Sequence, residues 1–187
     1  APWKLVVLHD PVVNFGGHLS SAGRDTILPV CWKRGVAMIA AGHSHQYERF
    51  VPLRPEAGAK AAPIVFVTSG GGGAPLYPVN PHRLLAKCSE ERHFCVVTAD
   101  ALSLRLKAFR EDGSLLDEFE LKRTEDGALD PACVADARPF EAAIVAQGAL
   151  ATKATLPETL PEDRRRLDVR VFSSFPGLAR PATVEVR

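Results

Sequence analysis

Between Gly35 and Gly42 the chain reads "VAMIAA", an apolar run with no polar residue in it. A short, uninterrupted run of this kind, closed by glycine on both sides, predicts a strand covered on both faces. Such strands belong to parallel sheets in α/β folds. "WKLVVLHD" (Trp3 to Asp10) is a second such run and ends in His9 and Asp10. Between the two, "GRDTILPVCWKRG" follows a Ser-rich turn and predicts a helix closed by Gly35, kinked or shortened by Pro29. Strand, helix and strand over about forty residues form a βαβ unit with a right-handed crossover. His9 and the pair His43/His45 then share one sheet edge, the edge at which open α/β sheets take ligands.

Downstream the pattern changes. "APIVFVTSGGGGAPLYP" predicts a strand running into a glycine-rich loop. "RHFCVVTAD", "LSLRLKAFRE" and "SLLDEFELK" follow at short spacing, separated by "ADA" and "EDGS". Leu102, Leu104, Leu106 and Ala108 alternate with polar residues, the pattern of a half-exposed antiparallel strand, so this region reads as a β-meander. Residues 1–122 form one unit on this reading. Residues 123–140 are turn-rich and read as a linker or strap. Residues 141–187 read as a β-rich extension, from "LDVRVFSS" and "ATVEVR"; its "EDRRR" run reads as a solvated turn.

The net charge is +1 with both signs interspersed, which argues against a nucleic-acid stripe or a membrane-binding face. No apolar run is long enough to span a bilayer. A start at Ala1 says nothing about targeting. The four cysteines include no Cys-x-x-Cys pair, so neither a zinc ribbon nor a redox motif is expected. Cys88 and Cys95 are either a disulfide across a loop or, with Cys31 and Cys133, free thiols.

Neutral imidazole is the commonest protein ligand for zinc-like and iron-like metals. A lone His-x-His, here His43 and His45, is also compatible with a polar strand-end loop. What favours a ligand reading is His9, expected on the neighbouring strand end and facing the same crevice. "NFGGHL" then returns His18 after a glycine-rich turn, placed to lean over the site and to hydrogen-bond a phosphate oxygen or protonate a leaving group. His82 and His93 fall outside these blocks and are expected at the surface. Tyr47 and Arg49 read as supports of the loop rather than substrate contacts. "SGGGGAP" lacks the Gly-Lys-Ser/Thr ending of a P-loop and reads as a close backbone approach.

Three blocks in order, "VVLHDPVVNFGGH", "AGHSHQYERF" and "VTSGGGGAPLY", resemble the calcineurin-like metallophosphoesterases, in particular the purple acid phosphatase branch. The resemblance spans roughly residues 3 to 122. It implies an α/β fold: the C-terminal half of a four-layer α/β/β/α sandwich, followed by the β-rich extension. It implies hydrolysis of a small-molecule phosphomonoester by hydroxide activated between two metal ions, iron plus zinc, manganese or a second iron. By position, His9 and His43 match ligands of the second, divalent metal, and His45 matches a ligand of the first. His18 matches the outer histidine that contacts phosphate or leaving group. Asp10 departs from the pattern and is expected to orient a ligand rather than be one. Relatives of this branch are mostly extracellular or periplasmic.

The branch also uses an Asp, a Gly-Asp-x-x-Tyr block with a bridging Asp, and a Gly-Asn-His block. This sequence contains no "GD" and no "NH" dipeptide. Three histidines without a bridging carboxylate leave the cation charge unneutralised. The missing N-terminal half of the catalytic domain is therefore expected upstream or on another chain, and this chain alone is expected to be inactive. The alternative is a non-catalytic metal- or phosphate-binding module or a degenerate relative. A mononuclear zinc site on His9, His43 and His45 is a third possibility.

Overall fold

A computed structural model describes residues 2–56 and 58–148, together with two strands at 150–155 and 168–173. In chain order the elements begin with β1 (Leu5–Leu8), α1 (Leu28–Lys33), β2 (Met38–Ala41), β3 (Tyr47–Phe50), β4 (Leu53–Arg54) and β5 (Val65–Ser69). Then come β6 (Leu85–Ser89), β7 (His93–Ala99), β8 (Ser103–Arg110) and β9 (Leu115–Lys122). A 3₁₀ turn (Pro131–Val134), β10 (Arg138–Pro139), α2 (Phe140–Ala146), β11 (Leu150–Thr155) and β12 (Asp168–Ser173) complete the list. "ATVEVR" and "LPETLPEDRRR" lie outside the described residues.

The main sheet has the order β1-β2-β5-β3-β6. β1, β2 and β5 run parallel, with Leu5 opposite Met38 and Met38 opposite Val65. β3 is antiparallel to both of its neighbours. The expected βαβ unit is therefore present, but its helix is shorter than the sequence pattern. Pro29 sits in the first turn of α1, where its missing N–H and fixed φ cost nothing, so the proline starts the helix instead of kinking it.

Two apolar clusters bury the two faces of the main sheet. On one face, Leu28 and Cys31 of α1 and Phe140, Ala143 and Ile144 of α2 pack with Ile39, Phe50 and Phe66. On the other, Leu104, Leu106 and Ala108 of β8 and Leu116 and Leu121 of β9 pack with Met38, Tyr47, Val65 and Val67. Among the described residues the layers are thus helix, sheet, sheet. β7, β8 and β9 form the expected antiparallel meander. Leu102 is the exception to its predicted alternation: β8 starts one residue later, and Leu102 lies exposed in the turn.

The tilt of the meander matters for the site. β9 crosses β3, where Tyr47 and Arg49 both reach Asp117, while His93 at the start of β7 reaches Ser69 at the end of β5. Among the described residues, β7 and β1 are each the edge strand of their sheet. Val7 is 78% exposed there, and Phe94, Val96 and Val97 are also exposed. All four cysteines are free, so the Cys88–Cys95 disulfide is not formed.

Candidate metal centre

β1 ends at Leu8 and β2 at Ala41, and the amide of Gly42 donates to the carbonyl of His9 at 3.0 Å, carrying the ladder one step past both strands. His9 and His43 follow directly. His43 has φ +58°, the only described non-glycine residue in the left-handed region. That conformation costs about 1–2 kcal/mol for an L-residue and persists only where its surroundings impose it. It swings the His43 ring edge-on to His9, with centroids 5.2 Å apart and Nδ1 3.3 Å from His9 Nε2. Asp10 Oδ1 lies 3.4 Å from the same Nδ1. The donor atoms of His9, Asp10 and His43 all fall within 4.8 Å of one another, and His9 is exposed while the other two are half-buried.

The remaining predicted histidines form a string of rings beside this cluster. His18 stands edge-on to His43 at 5.4 Å and tilts against Tyr77 at 4.7 Å. His45 stacks on Tyr77 at 4.6 Å with the planes 7° apart. It stands outside the three-donor group. Its Nδ1 lies 2.9 Å from the carbonyl of Pro75; a carbonyl only accepts, so Nδ1 carries the proton and Nε2 of the neutral ring is the free ligand nitrogen.

The loop that carries His18 is held from below by the segment that carries His43 and His45. Ser44, Gln46 and Glu48 alternate with those histidines and are fully buried. Ser44 Oγ donates to the carbonyl of Gly16 at 2.9 Å. The Glu48 carboxylate accepts from the amides of Phe15 and Gly16 at 2.8–3.2 Å and from Gln46 Nε2 at 2.8 Å. Asn14 Nδ2 closes the turn on the carbonyls of Gly16 and His18. A Cβ on Gly17, which has φ +60°, would sit 2.1 Å from Ser44 Oγ, so the loop can approach this closely only with glycine. Burial raises the Glu48 carboxyl to about 7, against the pull of the two amides in the other direction.

Tyr47 and Arg49 do support the fold. The Tyr47 hydroxyl donates to Asp117, and Arg49 makes a two-point contact with the same carboxylate. His93 corrects an expectation: it is 4% exposed rather than at the surface. Its Nδ1 faces the carbonyl of Glu91 and its Nε2 faces Ser69 Oγ at 3.0 Å. Burial pulls its pKa down. Gly71 makes room for it, since a Cβ there would lie 2.4 Å from His93 Nδ1. The glycine run was the available signal. His82 is half-buried against Phe15, with ring centroids 4.7 Å apart.

No protein-family model matches the chain, and no curated protein does. Among solved structures it is similar to the purple acid phosphatase PPD1 from yellow lupin (Lupinus luteus) seeds. The TM-score is 0.59 and the identity 23%, over 67% of this chain and 26% of that chain. The fold is phosphoesterase-like. A second likeness is to GAP50, the anchor in the inner membrane complex of Plasmodium, with TM-score 0.54 and 18% identity over 73% of this chain and 41% of that chain. The chain thus spans less than half the length of either protein. In this phosphoesterase-like fold the histidine string lies past the ends of β1 and β2. No described helix is long and apolar enough to cross a membrane.

Proposed function

We propose that this chain carries the histidine half of the site of a metal-dependent phosphoester hydrolase of acid-phosphatase type. The observation that supports it is the convergence of His9, Asp10 and His43, with His18 against His43, on one edge of a phosphoesterase-like sheet. Two imidazoles and a carboxylate suit a divalent transition metal, so the donors present fit the cofactor class of the lupin enzyme's branch. When bound, such ions supply an activated water and neutralise phosphoryl charge.

The chain's own residues divide the rest of the work. His9 and His43 hold the divalent ion. His45, with its proton fixed on Nδ1, offers Nε2 to the second ion, and the pair is iron with zinc, manganese or iron. His18, resting on His43 and Tyr77, hydrogen-bonds the phosphomonoester or protonates the departing oxygen. Bridging carboxylates come from a partner outside these residues, the N-terminal half of a four-layer domain. The free strands β1 and β7, with Val7, Phe94 and Val96 exposed, are the surface that fits it. The compartment in this reading is extracellular or periplasmic.

The test is hydrolysis of nitrophenyl phosphate, with bound metals measured, in the full-length protein. His9→Ala and His43→Ala are each expected to lower turnover at least about a hundredfold, in line with removal of a metal ligand. Unchanged turnover in both variants overturns the reading. The likeness to GAP50, an anchor protein, favours a second one: a non-catalytic module on the same fold. Metal binding without hydrolysis in the full-length protein selects it.

A further inference from the structure

The distances around His43 Nδ1 are long for hydrogen bonds. An N–H···N or N–H···O bond closes to about 2.7–3.2 Å, and a charge-assisted imidazolium–carboxylate bond to about 2.7–2.9 Å. Here the separations are 3.3 Å to His9 Nε2 and 3.4 Å to Asp10 Oδ1. Ligand atoms around a four-coordinate zinc, at about 2.0–2.1 Å from the ion, stand about 3.3–3.4 Å from one another. Magnesium and calcium take oxygen ligands, whereas two of the three donors here are imidazoles. The backbone points the same way: His43 is held in a left-handed conformation, φ +58°, and in it Nδ1 lies within 3.4 Å of both other donors.

We propose that His9, Asp10 and His43 hold one zinc-like divalent cation on this chain alone, with Asp10 as a direct ligand. The inference rests on the reading of this edge as a metal site, but not on its catalysing hydrolysis. Asp10 can reach the ion because β1 stops at Leu8, so strand alternation no longer sends neighbouring side chains to opposite faces. Its carboxylate cancels one of the two positive charges, which the histidines cannot do. Three protein ligands leave a fourth position open, the arrangement of a reactive rather than a structural zinc site. The side chains of His43 and Asp10 are 34% and 41% exposed, so solvent reaches that position.

The test titrates the metal-free 187-residue chain with Co²⁺ and follows the visible absorption of four-coordinate cobalt. The expected result is a spectrum that saturates at one equivalent and is displaced by Zn²⁺. Asp10→Asn is expected to change that spectrum and to weaken binding beyond the ten- to hundredfold typical of a residue that only orients a ligand. Asp10→Glu is expected to restore the spectrum in part. Asp10 is half-exposed, and a melting curve for each variant confirms that it is folded. A spectrum and affinity unchanged in Asp10→Asn overturn the proposal, as does a wild-type chain that takes up no cobalt. The hydrolytic reading fails separately. If cobalt binding depends on Asp10 and the full-length protein cleaves no phosphoester, only the hydrolysis is lost. If hydrolysis requires His9 while cobalt ignores Asp10, only the role of Asp10 is lost.

Discussion

The histidine edge and the β-meander are positioned by opposite means. In the meander, side chains are placed by repetition. β8 puts Leu104, Leu106 and Ala108 into the core and Arg105 and Lys107 outside, and seven paired residues along β7 hold it in register. At the histidine edge nothing repeats. His9 and Asp10 come after the last residue of a strand, His43 is strained, and His18 sits on a loop anchored by three buried polar side chains. The difference shows where each kind of change should be felt. The meander carries stability spread over many contacts; the edge carries a few placements that stability alone does not require.

The largest expected effect that separates the two is Leu106→Ala. Leu106 is 1% exposed at the centre of the cluster beneath the sheet. Removing its buried methyl groups and leaving a cavity is expected to cost about 2–5 kcal/mol in denaturant unfolding. Cobalt stoichiometry and spectrum should be unaltered in the folded fraction. A variant that stays folded but changes its cobalt spectrum would show that the meander shapes the edge, and the division would fall.

The same contrast explains how much could be read beforehand. Period-two alternation made the meander legible, and two short apolar runs ending in histidine made the pairing of β1 with β2 legible. The likeness to a purple acid phosphatase fold covers 67% of the chain. What the structure adds lies where periodicity stops. Asp10 is expected only to orient a ligand because it departs from the branch's pattern; β1 ends at Leu8, and the Asp10 carboxylate comes within 3.4 Å of His43 Nδ1. His93 is expected at the surface by default, as a histidine outside the ligand blocks; its burial depends on Gly71, about 75 Å of chain earlier by contour but adjacent in space. Glu48 drew no attention as a buried acid. Yet Ser44, Gln46 and Glu48 do alternate with His43, His45 and Tyr47, and that pattern was a usable signal of two faces.

Glu48 gives the next test. Its carboxyl titrates near 4.5 in an unfolded chain and at about 7 when buried, so the folded state holds the proton more tightly. The corresponding stabilisation is fully present below about pH 4.5 and is lost as pH rises through about 7. The shift corresponds to about 3 kcal/mol at most. Glu48→Gln cannot titrate. The measurement is the difference in unfolding free energy between wild type and Glu48→Gln from pH 5 to pH 8, which removes the contribution of every other group. Wild type is expected to lose stability relative to the variant over that window. A flat difference would mean that the carboxylate is as comfortable charged as neutral, and that the His18 loop is held by an anion at every pH.

The smallest effect sits where the two regions touch. Tyr47 belongs to β3, two residues after His45, yet its ring is buried among meander residues and its hydroxyl donates to Asp117 of β9 at 2.8 Å. Burial and the Asp117 carboxylate push its pKa up, so the hydroxyl stays protonated and its bond does not titrate in the range where proteins are handled. Tyr47→Phe keeps the ring and removes one donor. Asp117 keeps its two-point contact with Arg49, so no charge is orphaned. The expected cost is therefore about 1 kcal/mol in unfolding, the net worth of one hydrogen bond, rather than the larger penalty of a stranded carboxylate. The cobalt titration of this chain should not move, because the hydroxyl points into the meander. A changed titration with stability intact would reassign Tyr47 from the meander to the histidine edge, and the residues of β3 would then have to be counted with that edge.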